Sequence, residues 1–183
     1  MKIKYLEKGF SSTNFNDNQH DQFKIAELIV ANETNRLNKG IIAIRSLTEE
    51  GKPDINIYDR FTNELIGYIE TQGIENFRDV FNYKYPDFLF YERRTKEYKL
   101  PTIFIAFDLP TNSYLLCPMN KLLKAVSECN SYEEKDRMFA GKIIKELEKI
   151  YHLPLDIFNK YNGMDKLDSY FLKNKKPQTQ LNA

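Results

Sequence analysis

Two carboxylates, Asp54 and Glu70, occupy comparable places in two β-rich segments, Asp54–Tyr58 and Glu64–Gln72, joined around Phe61-Thr62-Asn63. Side chains alternate along a strand, so Ile66, Tyr68, Glu70 and Gln72 are expected on one face of the second segment. Leu65, Gly67, Ile69 and Thr71 then take the other face. In the first segment Asp54, Asn56 and Tyr58 share a face, and Ile55 and Ile57 point the opposite way. A connecting loop with an odd number of residues sets Asp54 beside Glu70 and stacks the isoleucines against Ile69. An even loop separates the carboxylates unless a β-bulge intervenes. Two adjacent carboxylates are hard oxygen donors for Mg²⁺ or Mn²⁺. A cation held there lowers the pKa of its water and stabilises charge on an attacked phosphate. The plainer reading has Asp54 capping a turn after Pro53 and Glu70 as an ordinary strand-face carboxylate.

The run Pro53-Asp54 followed by Glu70-Thr71-Gln72 resembles the PD-(D/E)xK nuclease superfamily, over roughly residues 26–123. The resemblance implies a restriction-endonuclease-like α/β fold. That is a three-layer core with a central mixed β-sheet flanked by helices, here followed by C-terminal helices. It also implies that Asp54, Glu70 and the Thr71 carbonyl bind Mg²⁺ or Mn²⁺. Glu27, in the apolar run Ala26-Glu27-Leu28-Ile29-Val30, matches a helix glutamate that many members aim at the metal. It reads equally well as a solvated helix residue, and Glu33 is a weaker substitute. Nucleic acid, DNA in the first instance, is the implied partner. Cutting both strands would be easiest for a homodimer.

One position departs from the pattern. Gln72 stands where the family most often has lysine. It can hydrogen-bond a water but can act neither as a cation nor as a useful base. The segment Glu92-Arg93-Arg94-Thr95-Lys96 offers a replacement. Arg93, Arg94 or Lys96 could supply the missing charge and contact phosphate, arginine being suited to bidentate contact. Such a run is also what a solvated charged connection looks like. Pro86-Asp87 ahead of Glu92 imitates the motif, but leaves too little chain between its carboxylates for two paired strands.

Two functions follow. One is a metal-dependent nuclease in which Asp54, Glu70 and Gln72 do the chemistry. The other is a catalytically inactive relative that binds nucleic acid or protein as an accessory or inhibitory module. Binding of Mn²⁺ or Mg²⁺ that is lost in Asp54→Asn separates them. A globular protein with no metal site at all would show no such binding.

Composition narrows the field. The chain has 183 residues, 42% hydrophobic and 29% charged, with a formal net charge of +1. That suits one soluble domain with a real core. It excludes a histone-like binder that works through a global positive field. Only two histidines, His20 and His152, and two cysteines, Cys117 and Cys129, are present, with no CxxC pair. A zinc ribbon, a disulfide framework and a histidine-based metal cluster are therefore not expected. The start Met1-Lys2-Ile3-Lys4-Tyr5 lacks a following apolar stretch, and no run reaches membrane-spanning length. A cytoplasmic protein without a membrane partner is expected.

The elements that must position the carboxylates are read as follows. Residues 1–16 form an N-terminal arm, 17–172 a single nuclease-like domain and 173–183 a polar tail. Phe23, Ala26, Val30 and Leu37 mark a helix from Asp17 to Leu37, with Gly40 as its stop. Ile41–Leu47 is a strand, and Thr48–Gly51 a turn before the carboxylate hairpin. Gly73 opens a short helix in which Ile74, Phe77 and Phe81 share a face. The apolar run Phe88–Tyr91 reads as a buried strand and Glu92–Lys99 as a charged connection. Ile103–Phe107 and Ser113–Cys117 form a strand pair. Ser131 with Glu134 resembles a capping box that starts a helix running to Tyr151, its charges at Lys142–Lys149 solvated. Pro154 can start another helix, and Met164–Leu172 is the last. The many tyrosines, including Tyr58, Tyr68, Tyr83, Tyr85 and Tyr91, fit strands and core edges better than base stacking.

Overall fold

The computed structural model describes residues 15–46, 53–74, 80–108, 113–139, 142–159 and 163–175. Helix α1 (Phe15–Leu37) is followed by strands β1 (Ile41–Arg45), β2 (Ile55–Asp59) and β3 (Leu65–Ile74). These strands run antiparallel in that order. The chain then forms β4 (Val80–Lys84) and helix α2 (Tyr85–Tyr98) before β5 (Thr102–Asp108) returns parallel to β3. Strand β6 (Ser113–Pro118) closes a five-stranded mixed sheet in the order β1-β2-β3-β5-β6. Helix α3 (Met119–Ser127) leads into β7 (Tyr132–Phe139) and β8 (Lys142–Pro154). With β4 these make a second, three-stranded sheet in the order β4-β8-β7. Short helices α4 (Asp156–Asn159) and α5 (Leu167–Lys173) end the fold, with a 3-10 turn at Met164–Lys166 before α5.

Strand β5 explains the layering. Ile103, Ile105 and Phe107 enter one apolar cluster with Ala26, Ile29 and Val30 of α1 and Phe171 of α5. Phe104 and Ala106 enter another with Phe81, Tyr83 and Leu153 of the second sheet and Met119, Leu122 and Val126 of α3. A strand buried on both faces needs a continuous apolar sequence, and Thr-Ile-Phe-Ile-Ala-Phe provides it. Each fully buried Ile or Phe contributes about 2 kcal/mol before entropy is charged against it. The three layers therefore share a central sheet that carries both cores.

The free edge of β1 is closed locally. The Asn35 side chain donates to the Ala43 carbonyl and accepts from the Ala43 N–H, each at 2.8 Å. The Arg60 guanidinium caps the Ile41 carbonyl at 3.0 Å. With the Ala43 amide and carbonyl and the Ile41 carbonyl taken, the middle of this edge is a poor template for another strand.

Several sequence expectations change. Helix α1 and the strands β1, β2, β3, β5 and β6 stand within a few residues of where the sequence puts them. The helix expected from Gly73 does not form: β3 continues to Ile74, and Phe81 lies in β4. Phe77 falls outside the described residues. Phe88–Tyr91 is helical, and α2 absorbs most of the stretch expected to be a charged connection. An unbroken apolar run cannot distinguish a strand from a buried helix segment. The Ser131–Tyr151 helix is instead the β7–β8 hairpin. The Ser131 carbonyl accepts from the His152 N–H in that hairpin at 2.9 Å. Pairing of β8 with β4, distant in sequence, overrides the local capping signal. The turn at Thr48–Gly51 lies outside the described residues.

Candidate metal centre

The hairpin β2–β3 reaches its register by an indirect route. Asp59 and Glu64 close the turn, the Asp59 N–H donating to the Glu64 carbonyl at 2.9 Å, and residues 60–63 lie between them. That loop is even, the case that would separate the carboxylates. A bulge then shifts the pairing: Tyr58 faces Leu65, but Ile57 faces Gly67 and Ile55 faces Ile69. Ile66 is the extra residue, and it is buried in the same cluster as Ile69 rather than on the Glu70 face. The parity expected for Ile66 is thus reversed by the bulge, while that of Glu70 is kept. Continued by one residue, the shifted register sets Asp54 opposite Glu70.

Gly67 makes this geometry feasible. A Cβ there would run into the Phe171 ring and stand 2.7 Å from the Pro101 carbonyl oxygen. The close approach of α5 and of the chain entering β5 needs a residue without a side chain.

Asp54 lies just ahead of β2, and its side chain continues the ladder that the strand has left. The Thr71 N–H and Oγ1 hydroxyl both donate to Asp54 Oδ2, at 2.6 and 3.1 Å. The N–H and C=O of one strand residue point to the same edge, so the Thr71 carbonyl is directed to the Asp54 side. Asp54 and Glu70 lie close enough that each carboxyl shifts the pKa of the other.

Glu70 is 2% exposed. Its Oε1 is buried without a hydrogen-bond partner. Burial first, and then the neighbouring Asp54 charge, hold the Glu70 carboxyl well above the usual carboxylate range. Arg94 opposes this shift. Burial also raises Asp54, against the two Thr71 hydrogen bonds, Glu70 and the Arg94 charge. Glu27 on α1 feels the same field: burial and then Asp54 raise its pKa, while Arg45 and Lys24 lower it. The Arg45 Nε lies 3.2 Å from Glu27 Oε2.

Gln72 sits one strand repeat beyond Glu70, on the same face and beside Ala106 of β5. The basic run of α2 divides. Arg94 is 5% exposed and points inward, its Nη1 at 3.9 Å from Glu70 Oε1. Arg93 and Lys96 are exposed and pair along the helix with Glu97 at 3.9 Å and Glu92 at 3.3 Å. The structure therefore gathers Asp54, Glu70, Thr71 and Arg94, sets Glu27 within electrostatic reach, and leaves Arg93 and Lys96 on the helix surface.

Among the described residues no group of three or more His, Cys, Asp or Glu side chains is spaced to hold a metal ion. The donors present nonetheless suit a hard cation. They are all oxygen, the two carboxylates act on each other electrostatically, and buried Glu70 Oε1 has no hydrogen-bond partner.

Solved structures resemble this arrangement of strands and helices, Hjc and D212 among them. One is Hjc, a Holliday junction resolvase from Archaeoglobus fulgidus, with a TM-score of 0.50 and 11% identity, covering 81% of this chain and 96% of the other. The chain shares the fold of that protein. The second is D212, a nuclease from a fusselovirus, with a TM-score of 0.46 and 12% identity over 89% of this chain and 95% of the other. No family model and no curated protein matches the sequence. No helix among the described residues is long and apolar enough to cross a membrane.

The sequence named Arg93, Arg94 and Lys96 together and did not single out Arg94 as the one that faces Glu70. The signal was available. Tyr91 and Arg94 are three residues apart and share a helix face, and Tyr91 meets Phe104 at 6.5 Å between ring centroids. Reading Phe88–Tyr91 as a strand hid that spacing.

Proposed function

We propose that this protein is a divalent-metal-dependent nuclease that hydrolyses phosphodiester bonds of nucleic acid, DNA in the first instance. Asp54, Glu70 and the Thr71 carbonyl hold Mg²⁺ or Mn²⁺, with Glu27 approaching from the α1 side. The observation that carries this reading is the bulged register that sets Asp54 opposite Glu70, close enough for the Asp54 charge to act on the buried Glu70 carboxyl, in a fold shared with a nuclease. Two acidic groups forced together inside a protein repel unless a proton or a cation sits between them.

The cation, when bound, supplies water activation and charge stabilisation on the attacked phosphate. The chain does the rest. Thr71 fixes the Asp54 carboxylate through two hydrogen bonds. Gln72, on the Glu70 face, orients the attacking water by hydrogen bonding. Arg94 holds Glu70 and provides the positive charge absent from position 72. Arg93 and Lys96, exposed on α2, contact phosphates farther along the substrate.

Cleavage of DNA and RNA substrates with Mg²⁺ and with Mn²⁺ tests this. Wild type cuts, and Asp54→Asn and Glu70→Gln do not. Cutting that persists in Asp54→Asn would place the active site elsewhere.

A second reading is an inactive nuclease-fold module that binds nucleic acid or protein. Gln72 and the ion pair between buried Arg94 and Glu70 favour it, because an internal arginine can offset Glu70 without any metal. Wild type that neither cuts nor binds Mn²⁺ would select this reading.

A further inference from the structure

Helix α2 carries a feature that metal chemistry does not use. Phe90 is 38% exposed, although it is aromatic and adjacent to Tyr91, which turns in toward Phe104. Its ring is held in place. The Arg94 guanidinium carbon lies 4.2 Å from the ring centroid, and Tyr91 meets it edge-on at 5.2 Å. The same guanidinium reaches Glu70 at 3.9 Å. One side chain thus links an exposed aromatic ring directly to the carboxylate pair.

We propose that Phe90 is a stacking platform for an unpaired base of the substrate, next to the Asp54–Glu70 pair. The proposal rests on the nuclease reading above and adds a substrate class to it: nucleic acid with unpaired nucleotides at or beside the scissile phosphate. Bases within an intact duplex already stack on their neighbours, so an exposed ring gains little from them. A single strand, gap, flap or branch leaves a base free to stack, and every base has a face to offer. An arginine over one side of the ring fixes its orientation and leaves the exposed remainder for the base. Net charge points the same way. With a formal charge of +1 the chain has no global field to gather a duplex, so local contacts must supply affinity.

The chain contains no tryptophan, so Phe90→Trp creates a single indole reporter at the proposed contact. The probes are a single-stranded DNA oligonucleotide and a blunt duplex of equal length, in Ca²⁺ to suppress cutting. Anisotropy of labelled DNA follows binding independently. The expected result is quenching of the Phe90→Trp indole by the single strand and far less by the duplex. In parallel, Phe90→Leu should lower the ratio of single-strand to duplex affinity by roughly tenfold, and Phe90→Trp should keep it. Single-strand binding without quenching, or an unchanged ratio in Phe90→Leu, overturns the stacking role and leaves the nuclease reading standing. No binding of either DNA by wild type overturns the stacking role, and joined to no cleavage of DNA or RNA it overturns the nuclease reading as well.

Discussion

Arg94 on α2 and Glu70 on β3 meet at 3.9 Å in the interior of the protein, both almost fully buried. A buried cation opposite a buried carboxylate is seldom retained for stability alone, since desolvation consumes much of the attraction. Here it stands beside a second carboxylate, and under the proposed nuclease reading it supplies the positive charge that Gln72 does not.

Exchanging the two positions tests this assignment. Arg94→Met should depress metal-dependent cleavage at least tenfold, and adding Gln72→Lys to it should recover much of the loss. Gln72→Lys alone should preserve or raise cleavage. A double variant no better than Arg94→Met would mean that the two positions do not serve one purpose. Steady-state cleavage of a labelled substrate measures all three.

Removing the arginine should also be felt in stability. Arg94→Met leaves Glu70 without its buried counter-charge, at a cost of about 2 kcal/mol at neutral pH. The cost should shrink in acid, where Glu70 becomes neutral. Urea denaturation at two pH values reads this directly, and equal losses at both would contradict it.

The pH dependence of the metal-free protein has a definite sign. Glu70 and Asp54 have pKa values raised in the folded state. The folded chain therefore binds more protons than the unfolded chain above the ordinary carboxylate range. Stability falls as pH rises through that window, by about 1.4 kcal/mol for each unit of upward shift. Thermal melts from acid to neutral pH should show the decline, and Glu70→Gln should flatten it. Mn²⁺ should raise the melting temperature more at neutral pH than in acid, because the cation competes with the proton.

Gly67→Ala should destabilise the protein by about 1–3 kcal/mol through overpacking against Phe171 and the Pro101 carbonyl. It should also weaken Mn²⁺ binding, since Gly67 adjoins the bulge at Ile66 that sets the register bringing Asp54 to Glu70. Denaturant melts and a metal titration of the variant check both parts. Unaltered binding in a destabilised variant would show that the register survives without the glycine.

The carboxylate hairpin was legible because alternation is a strong pattern and Ile55, Ile57 and Ile69 sort to one face. Its turn was not legible. Nothing in Arg60-Phe61-Thr62-Asn63 announces a four-residue loop or the compensating bulge at Ile66, next to which Gly67 packs on Phe171 from far along the chain. Helix α2 was hidden because Phe88-Leu89-Phe90-Tyr91 reads the same in either period. The β7–β8 hairpin was misread because Ser131 and Glu134 imitate a helix start, while the pairing that decides the matter comes from β4. Short-range signals gave the strands of the main sheet, and long-range contacts decided the rest.

At the other end of the chain, Lys175 pairs with Asp59, at 3.0 Å, and with Glu64. It thereby ties the segment after α5 to the turn of the carboxylate hairpin. Lys175→Met should loosen that turn and speed hydrogen exchange at the amides of Phe61 and Thr62, which both donate to Asp59. Unchanged exchange there would show that the turn stands without the lysine.

The most direct measurement is Mn²⁺ binding by isothermal titration calorimetry on wild type, Asp54→Asn and Glu70→Gln, each verified as folded by its melting curve. One site per chain is expected in wild type, lost in both variants, with proton release on binding at neutral pH. Equal Mn²⁺ binding by wild type and Asp54→Asn, or none by wild type, would contradict it.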